Sequence, residues 1–236
     1  ITPRLAIADV SVQARTWQIT PFAIYMAAWQ LTLHKLCQQT RFAVITPFAN
    51  RQREEFFRTV GLFANALPVT ADFSQPQTLQ ALAYACHQRL QLANANSEVP
   101  IAGIAEQWQQ AGQGDLALLF NAAISYDNAP LQQQLAMPGY SIELLPVPGT
   151  TGKFPLALSI SHNSTTTACI EYHPQQFTHD FMCRLAGYYQ RSVQAIIEQP
   201  GLFVRAFSLL DHRQQLAMLG LAPGHDPLLE TIGNSN

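Results

Sequence analysis

Charge is what this sequence has least of. Lys, Arg, Asp and Glu make up 12% of its 236 residues and the formal net charge is −2, whereas an average soluble domain carries about 25% charged residues. The solvated surface must therefore rest on Gln, Asn, Ser and Thr. No block of Lys or Arg occurs, which argues against nucleic-acid recognition by a basic face. No apolar run approaches the about 18 residues needed for a membrane helix. Ile1–Val10 lacks the basic-then-apolar layout of a signal peptide and begins without Met, so the chain reads as a cut or processed piece of a cytoplasmic protein. Cys37, Cys86, Cys169 and Cys183 show no CxxC spacing and sit in apolar patterns; they read as reduced core residues, neither a metal site nor a disulfide frame. There is no HExxH pair, no GxSxG elbow and no Gly-rich loop after a strand, which argues against a zinc hydrolase, a serine hydrolase and a nucleotide-binding doubly wound domain. No carboxylates pair in a suggestive context, no cysteine has a histidine in a recognisable setting, and the seven histidines are dispersed as polar surface or boundary residues.

What is present is a hydrophobic fraction of 48%, enough for a sizeable core. Residues 1–17 read equally as a short helix through Val10, Ala14 and Trp17 or as a strand. Thr20 caps a helix that Pro21 opens, and Phe22, Met26, Trp29, Leu33 and Leu36 give it one apolar face, ending near Cys37. Phe42–Phe48 reads as a buried strand, Glu54-Glu55 as the start of a short helix, and Leu67–Phe73 as extended. A long helix from about Gln77 to Ala93 buries Leu79, Leu82, Ala83, Cys86 and Leu90. Pro100 starts a shorter one with Ile101, Ile104, Ala105 and Trp108 inward. Leu116–Tyr126 reads as a central strand buried on both faces, followed by a shorter strand near Tyr140–Val147. Phe154–Ser161 and Thr166–His173 form an antiparallel pair. The longest helix runs from Phe177 to about Glu198, with Phe181, Leu185, Tyr188, Val193 and Ile196 as its buried stripe. Strands alternating with long helices predict an α/β two-layer sandwich around a mixed sheet. Residues 1–210 form that lobe, and 211–236 a C-terminal helix and linker toward a following domain.

Two places carry candidate chemistry. Asn50-Arg51 follows a buried strand directly, where α/β sheets place their sites. Arg51 can hold a carboxylate bidentately, or it closes the turn or pairs with Glu54 or Glu55. Ser125-Tyr126-Asp127-Asn128 ends the most buried strand; its polar groups either line a cavity or form an Asx-type turn before Pro130.

These residues lead to a family resemblance. Thr20–Arg51 resembles the helix–strand segment of nonribosomal peptide synthetase condensation domains, which ends in Pro-x-x-Asn-Arg. Val60–Ser74 resembles their Gly-x-Phe-Val-Asn-Thr motif, with Ala64 and Ala66 replacing Val and Thr. Asn96–Ile104 is similar to His/Asn-Gln-Asp-x-Pro-Phe, Phe120–Pro130 to a strand ending in Gln-Asn-x-Pro, and Gly152–Ile160 to Lys-Phe-Asp-Leu-x-Leu with Pro155 for Asp. The partial motifs follow the family's order and match the C-terminal half of the domain. The family's His-His-x-x-x-Asp-Gly signature, which belongs to the N-terminal half, is absent from these residues. Its Arg-Asp-x-Ser-Arg-Asn-Pro-Leu motif is reduced here to Gly114–Leu119, without either arginine.

The resemblance implies a chloramphenicol-acetyltransferase-like lobe of an amide-bond-forming acyltransferase. A carrier-bound amine would attack a carrier-bound thioester, each hanging from a phosphopantetheine arm in a tunnel between two lobes. No cofactor or metal would bind this lobe directly, and no catalytic residue would lie in it. Arg51 matches a structural brace for the signature Asp of the other lobe; Asp127 and Asn128, with Ser125 before them, match tunnel-lining positions; Asn65 matches a structural position. The implied partners are the N-terminal lobe, donor and acceptor carrier proteins and a neighbouring adenylation domain. A non-catalytic docking or structural module, or an acyltransferase with a free acceptor, would share the pattern. In the lobe alone Arg51 is expected to be solvated or paired with Glu54 or Glu55, and the exposed face apolar.

Overall fold

The computed structural model describes residues 2, 4–112, 121–127, 153–162 and 165–211. Six strands form one mixed sheet: β1 Leu5–Ala6, β2 Arg41–Phe48, β3 Asn65–Asp72, β4 Ala122–Asp127, β5 Leu156–His162 and β6 Thr166–Tyr172, in the order β1-β6-β5-β4-β2-β3. Strands β2, β4 and β5 are parallel, with Ile45 beside Ala123 and Ser125 beside Ser159; the β2–β3, β5–β6 and β1–β6 pairs are antiparallel. Among the described residues five α-helices accompany the sheet: α1 Ser11–Trp17, α2 Pro21–Cys37, α3 Leu79–Ala95, α4 Ile101–Gln110 and α5 His179–Glu198. The two-layer α/β sandwich is as expected. Residues 5–17 take both alternatives, first a two-residue strand and then a helix. The expected strand at Tyr140–Val147 and the helix and linker beyond Asp211 lie outside the described residues.

The three long helices begin alike. Thr20, Thr78 and Thr178 stand at their N-caps in extended backbone, and each hydroxyl accepts a hydrogen bond from the amide three residues on. Such a cap satisfies one of the amides that a helix start leaves bare. Their apolar sides and the alternate residues Val44, Leu67, Val69, Ile124, Leu158, Ile160 and Ile170 of the sheet share one core. In α3 the buried residues are Leu79, Leu82, Ala83, Cys86 and Leu90, the stripe read from the sequence.

Other helices depart from expectation. Helix α2 is not one-faced: every residue from Ala23 to Leu33 is buried, because α3, α5 and the sheet surround it. Its polar groups are accordingly used internally. The Thr32 hydroxyl donates to the Ala28 carbonyl and meets the Ser192 hydroxyl of α5 at 2.8 Å. On α5 the stripe is rotated, with Met182 and Tyr189 buried rather than Phe181 and Tyr188; Tyr189 meets Trp29 edge-on at 5.8 Å. In α4 no residue is fully buried, so Ile101, Ile104, Ala105 and Trp108 are only partly covered. Of the four cysteines only Cys86 is in the core; Cys37 and Cys183 are exposed and all four are free thiols.

Candidate functional site at the carboxyl edge of the parallel strands

Because β2, β4 and β5 run parallel, their carboxyl ends, Phe48, Asp127 and His162, lie along one edge of the sheet. Open α/β sheets place ligands at such an edge. The start of α2 reaches the same edge: Phe22 stacks on Tyr126 with ring centroids 6.0 Å apart, and Tyr25 packs on it at 5.5 Å. Alternation along β4 puts Tyr126 on the helix side and Ser125 on the other, where the Ser125 hydroxyl lies 3.4 Å from that of Ser159. Asp127 is exposed at the strand end. The structure thus brings Arg51, Ser125 and Asp127 to one edge, while Asn128 lies outside the described residues.

Arg51 is not paired with Glu54 or Glu55. Asn50 turns the chain in the left-handed region, φ 51°, a conformation Asn tolerates. The Arg51 guanidinium then donates to the carbonyls of Phe56, Thr59 (2.8 Å) and Gly61 (3.3 Å) and lies 4.4 Å from the centre of the Phe63 ring. It holds the loop 53–62 from inside. Glu55 instead approaches Arg53, which also reaches Glu98. The expected short helix is a single 3₁₀ turn, Glu54–Phe56. On its outside Phe57, Val60 and Leu62 are 61%, 100% and 94% exposed, so apolar side chains do face solvent there.

A polar knot behind this loop was not read from the sequence. The buried Ser97 hydroxyl donates to the Asn50 side-chain oxygen at 3.1 Å and takes the Gln52 amide at 2.7 Å. Asn65 donates to the Ser97 and Val99 carbonyls at 2.9 and 2.7 Å. The knot ties the end of β2, the start of β3 and residues 97–99 into one unit, a structural role for Asn65.

At the far end of the edge, the His162 ring meets the Thr166 hydroxyl at 2.7 Å. The Asp9 carboxyl is held below its ordinary range by hydrogen bonds from the Ser11 hydroxyl and amide, with the nearby His162 adding a smaller attraction. Tyr25 donates to the Ala8 carbonyl at 3.1 Å, and burial pushes its phenol up to about 12. Burial also raises Tyr126. Both phenols are neutral donors at physiological pH. Among the described residues no three His, Cys, Asp or Glu side chains converge on a metal position, and no helix is long and apolar enough to cross a membrane.

One cysteine–histidine pair overturns the reading that no cysteine has a histidine in such a setting. Cys183 and His179 stand four residues apart on α5 with Sγ and Nε2 3.5 Å apart. That spacing on a predicted helix places two side chains on one face, and it was the available signal.

The condensation domain family matches residues 8–219. Among curated relatives, the hybrid PKS-NRPS synthetase opdA of Penicillium oxalicum is 29% identical over 181 residues, 77% of this chain and 4% of that protein. Surfactin synthase subunit 2 of Bacillus subtilis is 25% identical over 89% of this chain and 6% of its own length. The chain therefore spans only a small part of these relatives. Among solved structures, a four-domain nonribosomal peptide synthetase bound to AMP and glycine superposes with a TM-score of 0.77 at 14% identity, covering 90% of this chain and 18% of that one. The condensation domain of the monacolin K polyketide synthase MokA gives 0.71 at 17%, covering 86% of this chain and 48% of that one. With most of its length matched by the family and its sheet and helices superposing on condensation-domain structures, the chain belongs to the condensation domain family.

Proposed function

We propose that this chain is the C-terminal half of a condensation domain that forms amide bonds between carrier-tethered acyl or aminoacyl groups in a cytoplasmic peptide synthetase. The observation that carries this reading is the strand-end edge, where β2 and β4 end side by side. Ser125 and Asp127 stand in the last positions of β4, and Arg51 lies just beyond β2 in a loop that exposes Phe57, Val60 and Leu62. The chain's coverage of 48% of an isolated condensation domain also supports it. In the reaction the acceptor amine nitrogen bonds to the thioester carbonyl carbon, the carbon–sulfur bond breaks, and the amine proton leaves to a general base while the donor thiol departs. The base is a histidine of the His-His-x-x-x-Asp-Gly motif, supplied by the N-terminal half. Ser125, Asp127 and Asn128 line the acceptor side of the tunnel that admits the two phosphopantetheine arms, and Arg51 braces the motif's Asp. Donor and acceptor carrier proteins and an adjoining adenylation domain are the partners. The chain alone is inactive on this reading. The test supplies loaded donor and acceptor carriers to the chain with and without its upstream half. Product only with both halves supports the reading; turnover by the chain alone refutes it.

A second reading is a docking module without chemistry. It is favoured by the carboxylate of Asp127, exposed where the resemblance implies a neutral Gln, since negative charge there opposes a developing oxyanion. Carrier binding without product in the two-half assay would select this reading.

A further inference from the structure

We propose that Cys183 is a reactive thiol, activated by His179 and positioned through Tyr172, that forms mixed disulfides with low-molecular-weight disulfides. The site lies at the junction of β6 and α5, apart from the strand-end edge, and does not depend on the reading of that edge.

Three side chains make a relay. The Cys183 Sγ is 3.5 Å from His179 Nε2, and His179 Nδ1 is 2.8 Å from the Tyr172 hydroxyl. Cys183 and His179 share a face of α5, and Tyr172 reaches them from the last position of β6. When the thiol proton moves to Nε2, both ring nitrogens carry hydrogen: Nε2–H donates to the thiolate and Nδ1–H donates to the Tyr172 oxygen. The ring is thus held on both sides, which keeps Nε2 aimed at the sulfur as the thiol proton leaves. Neighbouring charges are of both signs. Asp180 and Arg184 flank the pair on α5, Arg184 leaning over Phe181 at 5.9 Å; Glu171 and His173 flank Tyr172 on the β6 side.

Access separates Cys183 and Cys37, both exposed, from Cys86 and Cys169, and His179 beside its sulfur separates Cys183 from Cys37. Cys86 is buried and its thiol is pushed up to about 12; burial also raises Cys169 and Cys37, and Cys169 is raised further by Glu171. Thiolates are the attacking species, so those three are the slower nucleophiles.

The step balances without a further oxidant. The Cys183 proton passes to His179, the thiolate attacks one sulfur of the incoming disulfide, and a new S–S bond forms as the old one breaks. The departing thiolate takes the proton from the imidazolium, giving Cys183–S–S–R and one free thiol.

The test treats the full reduced chain with oxidised glutathione and maps each cysteine by mass spectrometry over a pH series. Cys183 is expected to react first. At pH 6.5, His179→Gln is expected to slow it about tenfold, with the difference from the parent shrinking as pH rises. Tyr172→Phe is expected to slow it about threefold while leaving the helix content unchanged. Cys37 reacting as fast as Cys183, or a Cys183 rate and profile unaltered in both variants, overturns the proposal. Both sites are exposed or half-buried, so the variants are expected to melt with the parent; should His179→Gln unfold, Tyr172→Phe decides.

Discussion

Replacing Arg51 by Met should open the loop 53–62 without unfolding the lobe. The side chain donates to three backbone carbonyls and covers the Phe63 ring. A charged donor contributes about 1.5–3 kcal/mol to a buried hydrogen bond, but these carbonyls border solvent, and a half-exposed guanidinium retains only a fraction of that. Taking about 0.5 kcal/mol for each contact, and about 0.5 kcal/mol for the ring, the loop loses about 2 kcal/mol, or roughly a thirtyfold rise in its open population. No residue from Arg51 to Ala66 is buried, so this opening is local and the melting temperature should move by no more than about 2 °C. Trypsin reads the difference directly. Arg53 and Arg58 both lie in the loop, the substitution removes the site at 51, and cleavage of a locally opened segment tracks its open population. Cleavage after Arg53 and Arg58 should accelerate by roughly thirtyfold, with Arg51→Lys in between because an ammonium cannot reproduce the planar fork. Unchanged cleavage would show that Arg51 does not hold the loop. A melting temperature lowered as far as by a core truncation would show that the loop belongs to the global folding unit.

Other consequences are equally checkable. Ile124→Ala, at the buried centre of β4, should cost about 2–5 kcal/mol in urea unfolding. Thr20→Ala removes the cap of α2 and should cost about 1 kcal/mol. The folded Asp9 carboxyl is depressed below its ordinary 3.8, so its contribution is present above that value and lost as pH falls through the folded value; melting of parent and Asp9→Asn should converge in acid and separate at neutral pH. Tyr25 is raised from 10.0 to about 12, so between those values the unfolded chain ionises first and stability falls as pH rises, a fall that Tyr25→Phe should lessen, the other raised phenols and thiols keeping the rest.

Sequence pattern revealed the fold where one side of an element is wet. Helix α3 buries the stripe that its periodicity shows because its other side faces solvent. Helix α2 shows an apolar stripe too, but all its sides are enclosed, so the stripe does not reveal that a residue such as Gln30 is buried despite its polarity. The β5–β6 hairpin was legible from two alternating runs around a polar turn, and its register, Leu156 beside Tyr172, follows from that alternation. The strand-end position of Arg51, Ser125 and Asp127 was legible from the segment order alone. Their partners were not, since Arg51 bonds backbone carbonyls, which any residue supplies, and Ser97 meets Asn50 and Gln52 across more than forty positions. Cys183 and His179 were within reach of sequence, their four-residue spacing lying on a helix that had been placed correctly.

The enclosure of α2 also sets a timetable. The helix is synthesised well before α5, which supplies Tyr189 against Trp29 and Ser192 against Thr32 and begins only at His179. At a ribosomal rate of about 5–20 residues per second, the interval between Cys37 and His179 is roughly 7–30 s. Throughout it the most apolar of the described helices lacks one wall of its enclosure. The strand β1 waits as long for β6. Contacts of this span are closed late and slowly, so the nascent lobe is a natural client for chaperones that hold apolar segments, and a ribosome pause placed before α5 would lengthen its exposure.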